Sequence, residues 1–312
     1  MKVLITGGTG MVGSGFKNLN NSAYDFVLVG SKDCDLTQEH STHRLIKEIS
    51  PDAIIHLAAR VGGVKGNTDF VADFYRENIA INTNVLSSAA HMNIKKVISL
   101  LSTCVYPDKV TYPLTEDQIH NGEPHSSNFG YAYAKRMLDV HSRALRQQYG
   151  CNFITAVPNN LYGPEDNFDL QNGHVIPAII RKIWEAKNNL SDPVFWGDGR
   201  PLREFTFAPD VAKILIFLLE NYDGSSPVNI GNLQEISIGK IVQKVAKQLD
   251  YFGPIYWDIN KLAGQFKKPS SNEKLIKLGW KESHYVPFDE GIKRTCEWFI
   301  QNYPNVRGIS EK

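Results

Sequence analysis

Met1-Lys2-Val3-Leu4-Ile5-Thr6-Gly7-Gly8-Thr9-Gly10-Met11-Val12-Gly13 opens the chain, and its two halves ask for different backbones. Val3 to Thr6 is a short apolar run rich in β-branched residues, which predicts a buried strand. The glycines that follow permit a tight turn, and a helix-compatible stretch comes next. Strand, glycine loop and helix in that order form the setting of a dinucleotide-binding fingerprint. Glycine lets the backbone approach a pyrophosphate, and the helix N-terminus offers free N–H groups and the positive end of its dipole. Gly7, Gly10, Met11, Val12 and Gly13 are the contacts this reading nominates.

The pattern continues outward. Apolar runs recur at Val3–Thr6, Phe26–Gly30, Ala53–Leu57, Val97–Ser102 and Phe153–Pro158, separated by helical periodicity at Phe70–Met92 and Tyr131–Tyr149. Such alternation predicts an α/β fold with a doubly wound parallel sheet of Rossmann type, its ligands beyond the carboxyl ends of the strands. After Pro158 the order loosens. Residues 1–160 are expected to form the dinucleotide-binding domain, and 161–312 a smaller, interleaved substrate lobe. Within that lobe, residues from about 203 to 222 should return to the sheet, with Asp210 capping the helix that runs to Leu219.

One constellation carries chemistry. Tyr131 and Lys135 lie four apart and share one face of a helix. A phenol with a pKa of about 10 exchanges protons poorly at neutral pH, and a neighbouring ammonium favours the phenolate and lowers that value. Ser102, at the end of an apolar run, can add a hydrogen bond to a carbonyl held against the tyrosine. The three together form a proton relay for reducing a ketone or oxidising an alcohol.

Composition sets limits. At 312 residues and net charge +1, without a long block of one sign, the chain is not built as a nucleic-acid binder. No apolar signal segment precedes Lys2 and no run of about 18 apolar residues could span a bilayer, so a soluble, cytoplasmic protein is expected. Cys34, Cys104, Cys151 and Cys296 are scattered, with no Cys/His spacing for a metal, and are expected as reduced thiols.

The glycine spacing, Gly7-x-x-Gly10-x-x-Gly13, combined with Tyr131 and Lys135, resembles the extended short-chain dehydrogenase/reductase family. His56-Leu57-Ala58-Ala59 is similar to that family's fourth-strand signature, where small residues let the cofactor lie close to the sheet, and Arg60-Val61-Gly62-Gly63 continues the likeness. Four separated segments narrow it: Ser102-Thr103-Cys104-Val105-Tyr106-Pro107, Asn128 to Met137, Asn172-Gly173-His174-Val175-Ile176-Pro177, and Trp196-Gly197 with Arg203-Glu204-Phe205. In order, they resemble the NADPH-dependent members that epimerise and reduce GDP-4-keto-6-deoxy-D-mannose.

That resemblance implies roles. A ketone at carbon 4 acidifies the hydrogens on carbons 3 and 5, and inverting both centres takes a base, an enolate stabiliser and an acid. Cys104 and His174 would be the epimerisation pair. Spacing does not say which is base; the family implies Cys104 as base and His174 as acid. Tyr131, helped by Ser102 and Lys135, would hold the enolate oxygen and protonate it during reduction. Leu57, Ala58, Ala59, Lys135, Pro158, Asn160, Leu161 and His174 would line the cofactor. Asn160, Lys182, Trp196 and Arg203 are candidates for the GDP-sugar.

Cofactor choice turns on the end of the second strand, where NAD enzymes place an acid against the ribose hydroxyls. Val29 instead runs into Gly30-Ser31-Lys32, and a hydroxyl with a lysine suits a 2′-phosphate, favouring NADPH. Asp33 is the counter-indication, and Asp35-Leu36 resembles the family's adenine-edge contact. A homodimer paired through two long helices per subunit is the family expectation. The alternatives are a reductase or epimerase of another GDP-4-keto sugar of heptose or colitose type, or a non-catalytic NADP-sensing protein.

Overall fold

The structure is a computed structural model that describes residues 1–19, 22–261 and 266–309. The first half alternates β1 (Lys2–Thr6), α1 (Met11–Lys17), β2 (Asp25–Val29), α2 (Glu39–Ile49), β3 (Ala53–His56), α3 (Val64–Asp69), α4 (Val71–His91), β4 (Lys96–Leu100), α5 (Phe129–Tyr149) and β5 (Asn152–Pro158). Then come β6 (Asn160–Tyr162), α6 (Val175–Lys187), β7 (Val194–Trp196), β8 (Leu202–Phe207), α7 (Ala208–Asn221) and β9 (Val228–Ile230). The chain closes with β10 (Glu235–Ser237), α8 (Ile238–Gln248), β11 (Tyr256–Asp258), α9 (Glu273–Lys277) and α10 (Phe288–Asn302).

Six strands pair in the order β2-β1-β3-β4-β5-β9, every pair parallel. A parallel sheet needs both faces covered, and alternate side chains of β1 serve the two covers. Val3 and Ile5 join Val12 and Phe16 of α1 and Val211 and Leu215 of α7. Leu4 faces the other way, among Ile46 of α2, Val85 and Leu86 of α4 and Leu138 of α5. A third apolar cluster, with Phe168, Ile179, Phe205, Val245 and Phe299, forms the core of the lobe built from α6, α8, α10 and the short strands.

The chain leaves β1 towards β2 on one side and reaches β3 on the other, so the winding reverses between β1 and β3. Parallel α/β sheets bind ligands at such a point, beyond the strand ends. The loops after β1 and β3 meet there. Gly7 has φ +70°, and a Cβ on it would lie 2.8 Å from the Ala58 nitrogen, so only glycine lets the two loops come this close.

Two sequence expectations are corrected. The return to the sheet is displaced: β8 pairs with β6 and β10 in a separate three-stranded sheet, α7 packs on the large sheet's face, and β9 is the strand that joins it. Asp210 sits inside the first turn of α7, whose N-cap is Phe207, and accepts from the Val286 N–H at 2.7 Å and the Lys213 ammonium at 2.8 Å. It ties α7 to the segment before α10 rather than capping its helix.

His56 is buried at the end of β3. The Asn82 amide donates to the Ala134 carbonyl at 3.1 Å, so its oxygen accepts from His56 Nε2 at 3.1 Å, and Nδ1 accepts from the Thr6 hydroxyl at 2.7 Å. This chain of bonds joins β1, β3, α4 and α5. Burial, then the Lys135 charge, push the imidazole down to about 3. The native state therefore keeps His56 neutral while the unfolded chain protonates it below about 6.5. Its contribution is present above pH 6.5 and lost as pH falls towards 3. From pH 7 to 5 this one group should remove about 2 kcal/mol of stability. Urea unfolding at both pH values checks it: the His56→Gln protein should lose about that much less than the parent, and an equal loss in both would contradict the assignment.

Candidate active site

β4 ends at Leu100, and Ser102 begins a short 3₁₀ turn, Thr103–Val105, that carries Cys104. The Ser102 hydroxyl accepts from the Cys104 N–H at 3.4 Å. α5 lies alongside and presents Tyr131 and Lys135. The Lys135 side chain is buried, donates to the Leu100 carbonyl at 2.9 Å, and stands 5.9 Å from the centre of the Tyr131 ring. Tyr131 meets Phe74 of α4 edge-on at 6.4 Å. Ser102, Cys104, Tyr131 and Lys135 therefore converge beyond the end of β4.

Their electrostatics depart from the sequence reading. Burial raises the Tyr131 phenol well above its ordinary value, Cys104 adds to the rise, and Lys135 does not pull it down. Lys135 is itself lowered to about 8 by burial, opposed by Cys104. Burial also raises the Cys104 thiol, while Ser102, Lys268 and Lys135 act against it. Removal from water outweighs the pairing of charges here. At neutral pH the site holds a neutral phenol, a neutral thiol and a mostly charged ammonium.

The glycine loop fits a pyrophosphate. A Cβ at Gly13 would strike the Gly7 carbonyl and the Gly8 Cα at 2.5 Å, so α1 packs directly on the turn. Over Gly10 a Cβ would meet only the Gly7 oxygen at 3.3 Å, leaving open room beside the first-turn N–H groups, which have no intrahelical partners. Met11 is half-buried and Val12 buried, both against the core. Leu57, Ala58 and Ala59 border the same crevice at the end of β3, and each is half-buried. The Asp33 carboxylate accepts the Gly30 N–H at 2.8 Å, which turns it back on its own loop and leaves Ser31 and Lys32 exposed. Asp35 is held below the usual carboxylate range by the hydroxyl and N–H of Thr37. Leu36 is buried in the core, and its carbonyl accepts from Thr42 and Asn84.

On the far side, Pro158 is buried at the end of β5, while Asn160 is exposed on β6 and donates to the Glu204 carbonyl at 2.9 Å. Leu161 packs partly against the core. Lys182 donates to the Val194 carbonyl at 2.7 Å, lies over the Phe195 ring, and is lowered by burial. Trp196 is 66% exposed, an open ring with the Lys261 ammonium 5.9 Å above it. Arg203 donates to the Leu202 and Phe266 carbonyls. His174 is the N-cap residue of α6, and the charges that act on it are those of Asp166 and Arg307. The preceding Asn172 carbonyl accepts from the Gly63 N–H at 2.8 Å, which fastens this segment to the loop after β3.

Sequence reasoning missed Lys268. Its ammonium donates to the Thr103 carbonyl at 3.0 Å, next to Cys104, and it is electrostatically coupled to both Cys104 and Arg203. The basic pair Lys267-Lys268 was the available signal, but nothing in the local pattern places it opposite a turn 165 residues earlier. Asp166, 3.9 Å from His174, lies in the irregular stretch after Pro158, where the sequence offers no periodic signal.

Residues 3–231 match the model of the NAD dependent epimerase/dehydratase family. The chain is 44% identical to a GDP-L-fucose synthase of Dictyostelium discoideum, over 98% of this chain and 97% of that protein. It is 36% identical to a GDP-L-colitose synthase of Yersinia pseudotuberculosis, over 98% and 100%. A crystal structure of a GDP-L-fucose synthetase from Naegleria fowleri bound to NADP superposes with a TM-score of 0.92 at 38% identity, over 98% of this chain and 94% of that one. The chain belongs to the NAD dependent epimerase/dehydratase family, on the branch that carries the GDP-L-fucose synthases.

Proposed function

We propose that this chain is an NADPH-dependent 3,5-epimerase and 4-reductase that converts GDP-4-keto-6-deoxy-D-mannose to GDP-L-fucose. The observation that carries the reading is the convergence of Ser102, Cys104, Tyr131 and Lys135 at one strand end, in a chain so close to GDP-L-fucose synthases. A proton-exchanging thiol beside a ketone-reducing tyrosine–lysine pair is what a combined epimerase and reductase needs, and a simple reductase does not.

The residues divide the work. Tyr131, kept protonated by burial, donates a hydrogen bond to the 4-keto oxygen and stabilises the enolate oxygen that forms when a neighbouring carbon loses its proton. Cys104 removes that proton once its thiol is ionised, a step that Lys268 and Lys135 favour and burial resists. His174, which Asp166 holds above the usual imidazole value, returns a proton to the opposite face. After both carbons have inverted, Tyr131 passes its proton to the oxygen at carbon 4. A nicotinamide cofactor, when bound, would supply the hydride to that carbon. Ser102 steadies the same oxygen, and Lys135 keeps a positive charge beneath it. Gly7 to Gly13 would receive the pyrophosphate of the cofactor, Ser31 and Lys32 its 2′-phosphate, and Pro158, Asn160 and Leu161 would border its nicotinamide end. Arg203 and Lys182 face the diphosphate of the sugar nucleotide, with Trp196 as a wall for its base.

The working unit in this proposal is a homodimer in the cytoplasm. Helices α4 and α5 pack on each other and leave Tyr75, Phe129 and Val140 exposed, an apolar face that a second copy would cover. The four thiols are unpaired, as in a reducing compartment. Among the described residues no helix is long and apolar enough to cross a membrane.

Four outcomes test this reading. Lys32→Asp should weaken NADPH binding by about 1–3 kcal/mol, the scale of a lost charge-assisted hydrogen bond; fluorescence titration giving equal NADPH and NADH affinities in the unaltered protein would refute the cofactor assignment. Cys104→Ser should slow deuterium entry at carbons 3 and 5 by about 10²-fold or more, the scale of a general base. Tyr131→Phe should abolish nicotinamide oxidation while deuterium still enters, more slowly for want of the enolate hydrogen bond. Mass spectrometry in heavy water reads both, and a normal exchange rate in Cys104→Ser would make that residue mere packing. Light scattering at micromolar concentration should give twice the chain mass, and a monomer would remove the homodimer from the account.

A further inference from the structure

A carboxylate lies under the candidate acid, almost wholly buried and with one oxygen lacking a hydrogen-bond partner among the described residues. Asp166 is 3% exposed, in the turn that follows Gly163-Pro164. One of its oxygens, Oδ1, accepts the Asn167 N–H at 2.7 Å and lies 3.9 Å from Nδ1 of His174. The other, Oδ2, is buried and has no hydrogen-bond partner among the described residues. An ionised oxygen left unpaired in the interior is costly, and native structures keep such groups rarely. A charged imidazole a short way off is the compensation this site offers.

The loop is built to hold the two together. The Asp169 carboxylate accepts the N–H groups of Gln171 and Asn172, and the Gly173 N–H donates to the Asp169 carbonyl at 2.8 Å. A Cβ on Gly173 would come within 2.4 Å of the Asn167 and Asp169 carbonyls, so the chain folds back tightly just before His174. The Asn172 carbonyl is fixed from outside by the Gly63 N–H. His174 then caps α6 with its side chain 54% exposed above a carboxylate that is almost wholly covered. Nδ1 faces that carboxylate, and Nε2 is left as the nitrogen that can meet a substrate.

We propose that Asp166 is a positioning residue for His174: its buried carboxylate orients the imidazole with Nε2 towards the substrate and favours the ring's protonated form. The proposal rests on the reading of His174 as the epimerisation acid. In each use a proton leaves Nε2 for the substrate carbanion, the ring becomes neutral, and the exposed face takes a proton back from solvent. Asp166 holds the ring in place throughout and takes no part in the transfer, as the buried partner of a catalytic imidazole does elsewhere. The charged groups that act on the ring are Asp166 beneath it and Arg307 from the C-terminal segment. Asp166 raises the imidazole and Arg307, with burial, opposes it, the balance lying upwards.

The test is to titrate His174 by NMR in the full-length protein, its ring resonance assigned by its loss in His174→Gln. In the unaltered protein the resonance should titrate above the ordinary imidazole value of about 6.5. In Asp166→Asn, which keeps the shape and the Asn167 contact, it should fall by about one unit or more, the scale of a lost opposite charge at this distance. Deuterium exchange at carbons 3 and 5 should then slow about tenfold at pH 8, with its alkaline limb moved to lower pH and NADPH affinity unchanged. Asp166→Glu, which returns the charge, should recover part of the titration. A titration at or below 6.5 in the unaltered protein overturns the proposal even if Asp166→Asn fails to fold. So does a folded Asp166→Asn whose His174 titration is unmoved, because the carboxylate then serves only the loop. Normal exchange in His174→Gln instead overturns the role of His174 itself, and the titration of Asp166→Asn still reads the coupling between the two residues.

Discussion

A lysine ammonium drawn into a protein interior must find a partner, and Lys135 finds the Leu100 carbonyl at 2.9 Å. That bond fixes more than the lysine. It locks one turn of α5 against the last residue of β4, so Tyr131, one turn earlier on the same face, lands beside the chain that leaves the strand. Ser102 and Cys104 are the next residues along that chain. The Asn82 amide holds the Ala134 carbonyl from α4, and His56 continues the brace into β3 and β1. Burying a charge costs several kcal/mol unless it is paired, and the pairing aligns helix and strand where a ketone would have to sit.

Burial, rather than charge pairing, decides the resting protonation states. A tyrosine four residues from a lysine reads as a phenol with a lowered pKa, but withdrawal from water raises Tyr131 and lowers Lys135 together. The result suits reduction, which consumes a proton at the ketone oxygen and so needs a protonated phenol at the start. It leaves Cys104 with the harder task, because its thiol is raised too and only Ser102, Lys268 and Lys135 counter that. His174 differs from these three in being driven towards its charged form by an adjacent carboxylate. In the proposed reaction His174, favoured in its charged form, would serve as the acid and the Cys104 thiol as the base.

What could be read from the chain was what is local and periodic. The strand, glycine turn and helix at residues 1–17 follow from β-branched residues and glycine spacing, and the Tyr131–Lys135 face follows from helix geometry. Contacts between distant segments were out of reach. Lys268 reaches Thr103, and Asp210 prefers the Val286 N–H to a cap. No rule of sequence spacing connects either pair. Asp166 was visible only as one acid in a loop until its burial and its distance to His174 were known.

A single site is proposed to perform both proton exchange on carbon and hydride reduction. The most direct measurement is turnover of GDP-4-keto-6-deoxy-D-mannose with NADPH in heavy water, following the loss of reduced nicotinamide absorbance and then weighing the purified product. The account predicts one nicotinamide oxidised per sugar and a GDP-L-fucose carrying two deuterium atoms on carbon, at positions 3 and 5. Oxidation that yields a product with no carbon-bound deuterium would show a reductase without epimerisation and would contradict it.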